Sequence, residues 1–271
     1  MRAIWKGSIS FGLLNVPVKL GAATRKKSIR FRTLHKECGT PIKQVRFCPT
    51  CNKEVEWEDT VKGYEYETNK FVILDDEDFD NLPVKSTKTI DIVDFVQLTE
   101  IDPVYYIKTY YLQPAEGGEK PYLILKDALQ ETGKVAITKV TLRNKESLAV
   151  VRVLDDVLAL ETMFFPAEVR SSSEVGIEGL EKKIAISEVE MKMAVEIVNN
   201  LTAPFHPEKY TDEYRSALLE MIRKKAENED YSIPEPVVPE DKVVNLMDKL
   251  RASVEATRKE REARREPAGV S

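Results

Sequence analysis

Apolar and polar residues alternate with a period of two over the first two thirds of the chain, and near residue 187 the rhythm becomes that of a helix. Residues 5–20 alternate apolar with small or polar positions, which predicts two short strands punctuated by Gly12 and Asn15. Residues 28–34 set Ile29, Phe31 and Thr33 against Arg30 and Arg32, which predicts a strand with basic side chains on one face. Residues 63–66 and 70–74 predict a hairpin turning at Thr68 and Asn69, followed by an acid-capped helical turn over 75–79. Further strands are expected over 89–96, 105–112, 135–144, 147–153 and 157–164. Among them, residues 121–132 fit an amphipathic helix with Leu123, Leu125, Ala128 and Leu129 on one side and Gly133 as its C-cap.

In the last third, Ser187 and Glu190 open a helix whose apolar positions are Val189, Met193, Val195, Ile197, Val198 and Leu201. Pro204 and Pro207 end it, and Thr211 caps a second helix to about residue 227 with Tyr214, Leu218, Leu219 and Ile222 on its apolar face. Three prolines within residues 232–239 predict an extended linker. Asp241 caps a third helix, and the charged tail from Arg258 is expected to fray. The pattern is α+β: strand-rich to about residue 170, helical afterwards.

A length of 271 residues suits one large domain or two small ones, and 42% hydrophobic residues exclude wholesale disorder. The net charge of −5 argues against a nucleic-acid partner until it is divided along the chain. Residues 1–50 hold eleven basic residues and one acid, Glu37, a net of +10. Residues 51–104 hold five basic and fifteen acidic residues, a net of −10. A run this one-sided is either a solvated face or a site for a polyanion, and its density favours the polyanion. The bases proposed to meet phosphates are Lys26, Lys27, Arg30, Arg32, Lys36, Lys43 and Arg46, with Lys139 and Arg143 on the strand expected over 135–144 as a second tier.

The three cysteines lie within fourteen residues, and one of the two histidines stands three residues before the first of them. Two residues separate His35 from Cys38, two separate Cys48 from Cys51, and nine join the pairs. This spacing suits one tetrahedral structural zinc with four N and S ligands and no open position for a catalytic water. Free thiols, or a redox pair at Cys48 and Cys51, are the other readings. An odd number of cysteines makes no disulfide framework, no apolar stretch approaches membrane-span length, and no signal core is seen, so a cytoplasmic location is expected. No phosphate-binding loop, dinucleotide fingerprint, metalloprotease helix or nucleophile elbow occurs, so no catalytic residue is proposed and the chain is expected not to be an enzyme. His206 and the acids of residues 75–80 read as structural.

Several segments together resemble the bacterial Ku proteins. They are Ala3-Ile4-Trp5-Lys6-Gly7-Ser8-Ile9-Ser10-Phe11-Gly12-Leu13, Val61-Lys62-Gly63-Tyr64-Glu65-Tyr66, Ile92-Val93-Asp94-Phe95-Val96, Glu100-Ile101-Asp102-Pro103-Val104-Tyr105-Tyr106, Pro166-Ala167-Glu168-Val169-Arg170 and Phe205-His206-Pro207-Glu208-Lys209-Tyr210-Thr211-Asp212-Glu213-Tyr214. The likeness extends to about residue 255. It implies an α+β fold: a β-barrel core over residues 1–180, with an extended bridge around 25–60 that forms a ring in the dimer. A helical arm for dimerisation over 181–230, a linker over 231–240 and a tethered C-terminal helix over 241–271 would follow. It implies a homodimer that threads onto double-stranded DNA ends, away from any membrane, in non-homologous end joining, at breaks in the nucleoid. It also implies recruitment of the ATP-dependent repair ligase, ligase D, for which Leu246, Met247 and Leu250 are the candidate contacts. The tail departs from relatives with long lysine-rich extensions: Arg258, Lys259, Arg261, Arg264 and Arg265 are interleaved with Glu260, Glu262 and Glu266. A zinc-ribbon transcription or chromatin factor is the alternative from another class. A zinc-dependent scaffold that meets only proteins is a third reading.

Overall fold

The computed structural model describes residues 1–80, 88–142, 145–227 and 246–265. Its strands are β1 (Trp5–Phe11), β2 (Leu14–Ala22), β3 (Phe47–Cys48), β4 (Lys53–Glu54), β5 (Lys62–Glu67), β6 (Lys70–Leu74), β7 (Thr89–Gln97), β8 (Tyr106–Pro114), β9 (Lys134–Leu142), β10 (Lys145–Leu154) and β11 (Val157–Met163). Its helices are α1 (Asp76–Asp80), α2 (Glu119–Thr132), α3 (Leu180–Lys183), α4 (Glu188–Leu201), α5 (Glu213–Ala226) and α6 (Leu246–Arg265). The chain divides into two compact units, one ending at Ser171 and one beginning at Ser172.

In the first unit seven strands close into a barrel in the order β1-β2-β8-β11-β10-β9-β7. Every neighbouring pair is antiparallel except the closing one, β1 with β7, which is parallel and aligns Ser8 with Thr89, Ile9 with Ile90 and Ser10 with Asp91. The alternation seen in the sequence turns Ile9, Val16, Val18, Leu20, Ile90, Leu112, Leu158 and Leu160 inward, where they are buried. α2 adds Tyr122, Leu125 and Leu129 to the same core. The expected helix is therefore present, but Tyr122 takes the buried place assigned to Leu123, which is half exposed. The Tyr122 hydroxyl donates to the Leu112 carbonyl (2.9 Å) and accepts from the Leu158 N–H (2.7 Å), two groups that face each other across β8 and β11. Burial pushes the Tyr122 phenol above its usual pKa.

Closure depends on a glycine. A Cβ on Gly7 would run into the Lys88 carbonyl and the Trp5 ring. Without one, the Ser8 N–H reaches the Lys88 carbonyl at 2.9 Å. Residues 23–88 form an excursion between β2 and β7, and it carries the strand pairs β3–β4 and β5–β6. The hairpin expected over 63–74 is present, with Asn69 at φ 63° in its turn, and α1 follows as expected, capped by reciprocal bonds of Asp75 and Asp78. The strand expected over 28–34 does not form; within that run only Leu34 pairs, with Pro41. No edge of the closed barrel is open to receive it.

In the second unit, α4 opens with the expected capping box: the Ser187 hydroxyl accepts from the Glu190 N–H, and the Glu190 carboxylate accepts from the Ser187 N–H at 2.8 Å. α5 is capped by Asp212, which accepts from the Arg215 N–H at 2.9 Å, and not by Thr211. The tail expected to fray from Arg258 is helical to Arg265. The linker and the Asp241 cap lie outside the described residues.

Two substitutions test this architecture by denaturant unfolding of the chain. Tyr122→Phe removes the hydroxyl that ties the Leu112 carbonyl to the Leu158 N–H and should cost about 1–3 kcal/mol. Gly7→Ala forces the closing seam apart and should cost about 1–3 kcal/mol. Unchanged unfolding midpoints would contradict both assignments.

Candidate nucleic-acid interface

The excursion from the barrel holds most of the basic residues singled out in the sequence. Lys26, Lys27, Arg30, Arg32, Lys36, Lys43 and Arg46 are all exposed. They lie on backbone outside regular strands and helices or in two very small hairpins, so the charges follow one another as a strip along the chain. Such a strip can meet regularly spaced phosphates and carries no base-reading geometry. Arg46 has a further role: its guanidinium lies over the Trp57 ring, 4.5 Å from the centroid, and its carbonyl accepts from the Val55 N–H at 2.9 Å. Lys139 is exposed on β9, but its cross-strand neighbour on β7 is Asp91, which offsets its charge. Arg143 lies outside the described residues.

Each small hairpin carries one pair of the expected metal donors. The first turns between His35 and Thr40: the His35 N–H bonds the Thr40 carbonyl, the Gly39 N–H bonds the His35 carbonyl, and Gly39 adopts φ 67°. Here His35 Nδ1 stands 3.1 Å from Cys38 Sγ, and Thr40 Oγ1 stands 2.9 Å from the same sulfur. Hydrogen bonds from the Thr40 hydroxyl, the Thr40 backbone and His35 lower the Cys38 thiol to about 7. The second hairpin is β3–β4, which pairs Phe47 with Glu54 and Cys48 with Lys53 and turns through Asn52 at φ 52°. The Cys51 backbone N–H, the Cys51 thiol and the Thr50 backbone N–H lower Cys48, while Cys51 is raised by its bond to Cys48. Each pair thus sets two metal-type donors side by side, with the pKa of one sulfur lowered.

The four-ligand cluster expected from the spacing is not assembled. No three His, Cys, Asp or Glu side chains among the described residues gather closely enough to hold a metal ion. The reason is local: each hairpin is fixed by its own backbone bonds, and β3, β4 and their turns bury no side chain that would draw the two tips together.

A further feature escapes a count of charges. The β5–β6 hairpin exposes Tyr64, Tyr66, Phe71, Val72 and Ile73, which point to both of its faces. The signal was present in Phe71-Val72-Ile73-Leu74, an uninterrupted apolar run of the kind a strand buried on both sides requires. In the second unit Val189, Val195, Val198, Tyr214, Leu219 and Ile222, expected from periodicity on apolar helix faces, are likewise exposed. Exposed apolar surface of this kind is a candidate contact face. Of the three residues proposed to meet a ligase, Leu246 is exposed, whereas Met247 and Leu250 are half-buried, because α6 packs along α4 and does not stand free on its tether. No helix among the described residues is long and apolar enough to cross a membrane.

Comparison with known proteins agrees with this architecture. Residues 10–193 match the model of the Ku70/Ku80 beta-barrel domain. A protein of Symbiobacterium thermophilum named non-homologous end joining protein Ku is 48% identical over 265 residues, covering 97% of this chain and 65% of that protein. Proteins of the same name from Desulfitobacterium hafniense and Bacillus subtilis are 46% and 43% identical, covering 95% and 96% of this chain and 88% and 83% of their own lengths. With a seven-stranded closed barrel, a family model over most of its length and relatives aligned along nearly all of it, the chain belongs to the Ku family.

Proposed function

We propose that this chain binds double-stranded DNA ends without sequence preference, as a ring-shaped homodimer, and recruits a repair ligase for non-homologous end joining. The observation that carries the reading is the run of exposed bases between Lys26 and Arg46, set on an excursion rooted in the barrel of an otherwise acidic chain. Family membership, and relatives named for end joining, support the same assignment. Binding by charge and by encirclement suits broken ends of any sequence and needs no catalytic group. The exposed apolar faces of β5–β6, α4 and α5 support dimerisation, since a second copy supplies a surface of matching chemistry. Leu246, Met247 and Leu250 of α6 are the proposed ligase contacts.

Topology of the DNA is the test. Linear duplex should be bound and closed circles excluded; equal binding to closed circles would sink the reading. If the dimer neutralises about ten phosphates, log K should fall with log salt at a slope near −9. Replacing Lys26, Lys27, Arg30 and Arg32 by Glu should weaken binding to all sequences alike and flatten that slope by about one for each phosphate left without its base.

Zinc is part of the same proposal. His35, Cys38, Cys48 and Cys51 offer three sulfurs and one imidazole in two half-sites, the donor set of a structural zinc. A bound ion would join two hairpin tips that have no core of their own. The purified chain should then carry one zinc per protomer. Chelation, or Cys48→Ser, should open the hairpins to proteolysis between Leu34 and Val55 while the barrel's unfolding midpoint stays unchanged. A metal-free chain with equally resistant hairpins would exclude zinc.

A further inference from the structure

The half-buried positions of α6 are Met247, Leu250, Val254, Thr257 and Arg261, each three or four residues from the next. Those of α4 are Glu190, Met193 and Ile197, followed in the same rhythm by Asn200, which is 8% exposed. Three–four spacing on two packed helices is the pattern of a two-helix seam. At one end Arg261 Nη1 donates to Asn200 Oδ1 at 3.1 Å, while Asn200 Nδ2 is buried without a partner. Both stripes run N-terminally from this pair, so the helices lie side by side and point the same way. One heptad back, Met193 and Val254 come level.

The seam is narrow. Val189, Val195 and Val198 on α4 remain exposed, so α6 leaves the broader apolar surface of the arm uncovered. Four of its nine positions are polar: Glu190, Asn200, Thr257 and Arg261. The Thr257 hydroxyl is spent within its own helix, on the Ser253 carbonyl at 2.8 Å. A seam with so few apolar layers and an orphaned amide fixes register better than it confers stability; a buried Asn at such a position is a known register device.

We propose that α6 is a releasable cover: in the free protein it is docked on α4, in a register set by Asn200 and Arg261, and its partner protein must undock it. The second half of this statement rests on the ligase reading above. Met247 and Leu250 cannot face α4 and a ligase at once, so the ligase's apparent affinity is reduced by the fraction of α6 that is docked.

The full-length chain allows a test by charge exchange. Asn200→Lys sets a cation against Arg261, and amide hydrogen exchange over residues 246–265 should quicken by about fivefold. Adding R261E to N200K should restore the slow rate, and Arg261→Ala, which leaves α4 untouched, should act in the same direction as N200K. Wild-type exchange at unprotected rates, or no response to N200K, would overturn docking. N200K lies outside α6, yet it should raise affinity for the purified ligase by about the same factor. Faster exchange with unchanged or weaker ligase binding would overturn the cover. Ligase binding to neither chain would refute the recruitment reading alone, because exchange still decides whether α6 is docked.

Discussion

The parallel seam between β1 and β7 is the constraint on which the first unit depends. β1 lies between β2, where residues 23–88 leave the barrel, and β7, where they return. The two roots of the excursion are therefore two strands apart around the barrel and staggered along it, with β2 leaving beyond Trp5 and β7 returning level with Ser8. A long loop with so little internal structure needs fixed roots if its charges are to act together. The roots are fixed by one parallel pairing, the Ser8–Lys88 backbone bond and a glycine that lets two backbones touch. The inward residues on either side of it, Ile9 and Ile90, are among the most buried in the chain, so the core and the seam support each other.

Charge is distributed in accord with that geometry. The net charge of −5 describes the chain poorly, because bases crowd the strip that leaves β2 and acids follow it into β4, β5 and α1. The acids are exposed and for the most part local in their bonding: Asp75 with Asp78, Glu65 with Asn69, Glu67 with Lys70. The Lys62–Asp76 pair, at 3.2 Å, reaches farther along the chain, but both partners are open to solvent, so it contributes little. Nothing in these bonds draws the acidic block onto the basic strip.

What was legible in the amino-acid pattern follows from range. The barrel strands, the β5–β6 turn at Asn69 and the capping box at Ser187 are set by neighbours within a few residues, and the pattern revealed them. Residues 28–34 have the alternation of a strand, but a strand needs an edge, and the closed barrel offers it none. Tyr122 displaced Leu123 from the core because a phenol can satisfy the Leu112 carbonyl and Leu158 N–H at the barrel margin, a need that exists only once β8 and β11 are paired. The donors His35, Cys38, Cys48 and Cys51 were legible by spacing as two pairs, and the fold keeps them as two pairs. The packing of α6 on α4 was hidden for the same reason as the false strand: a helix's own periodicity shows that it has an apolar stripe and leaves its partner unnamed.

Burial is unevenly shared between the barrel and what surrounds it. On the barrel strands it is close to total, on both faces in places: Val150, Val151, Ala159 and Leu160 are all 0% exposed. Outside it, a hairpin with five large apolar residues on its two faces and an arm with apolar rows on α4 and α5 stand open. Each such side chain forgoes part of the roughly 1.5–3 kcal/mol that full burial gives its neighbours in the barrel. A two-stranded hairpin with nothing packed on it is marginal in water. The excursion and the arm thus keep open apolar surface of the kind that the barrel buries. The basic strip is open in the same way: its charges are carried by exposed side chains on backbone largely outside regular structure, and a polyanion lying along them would fix their directions together.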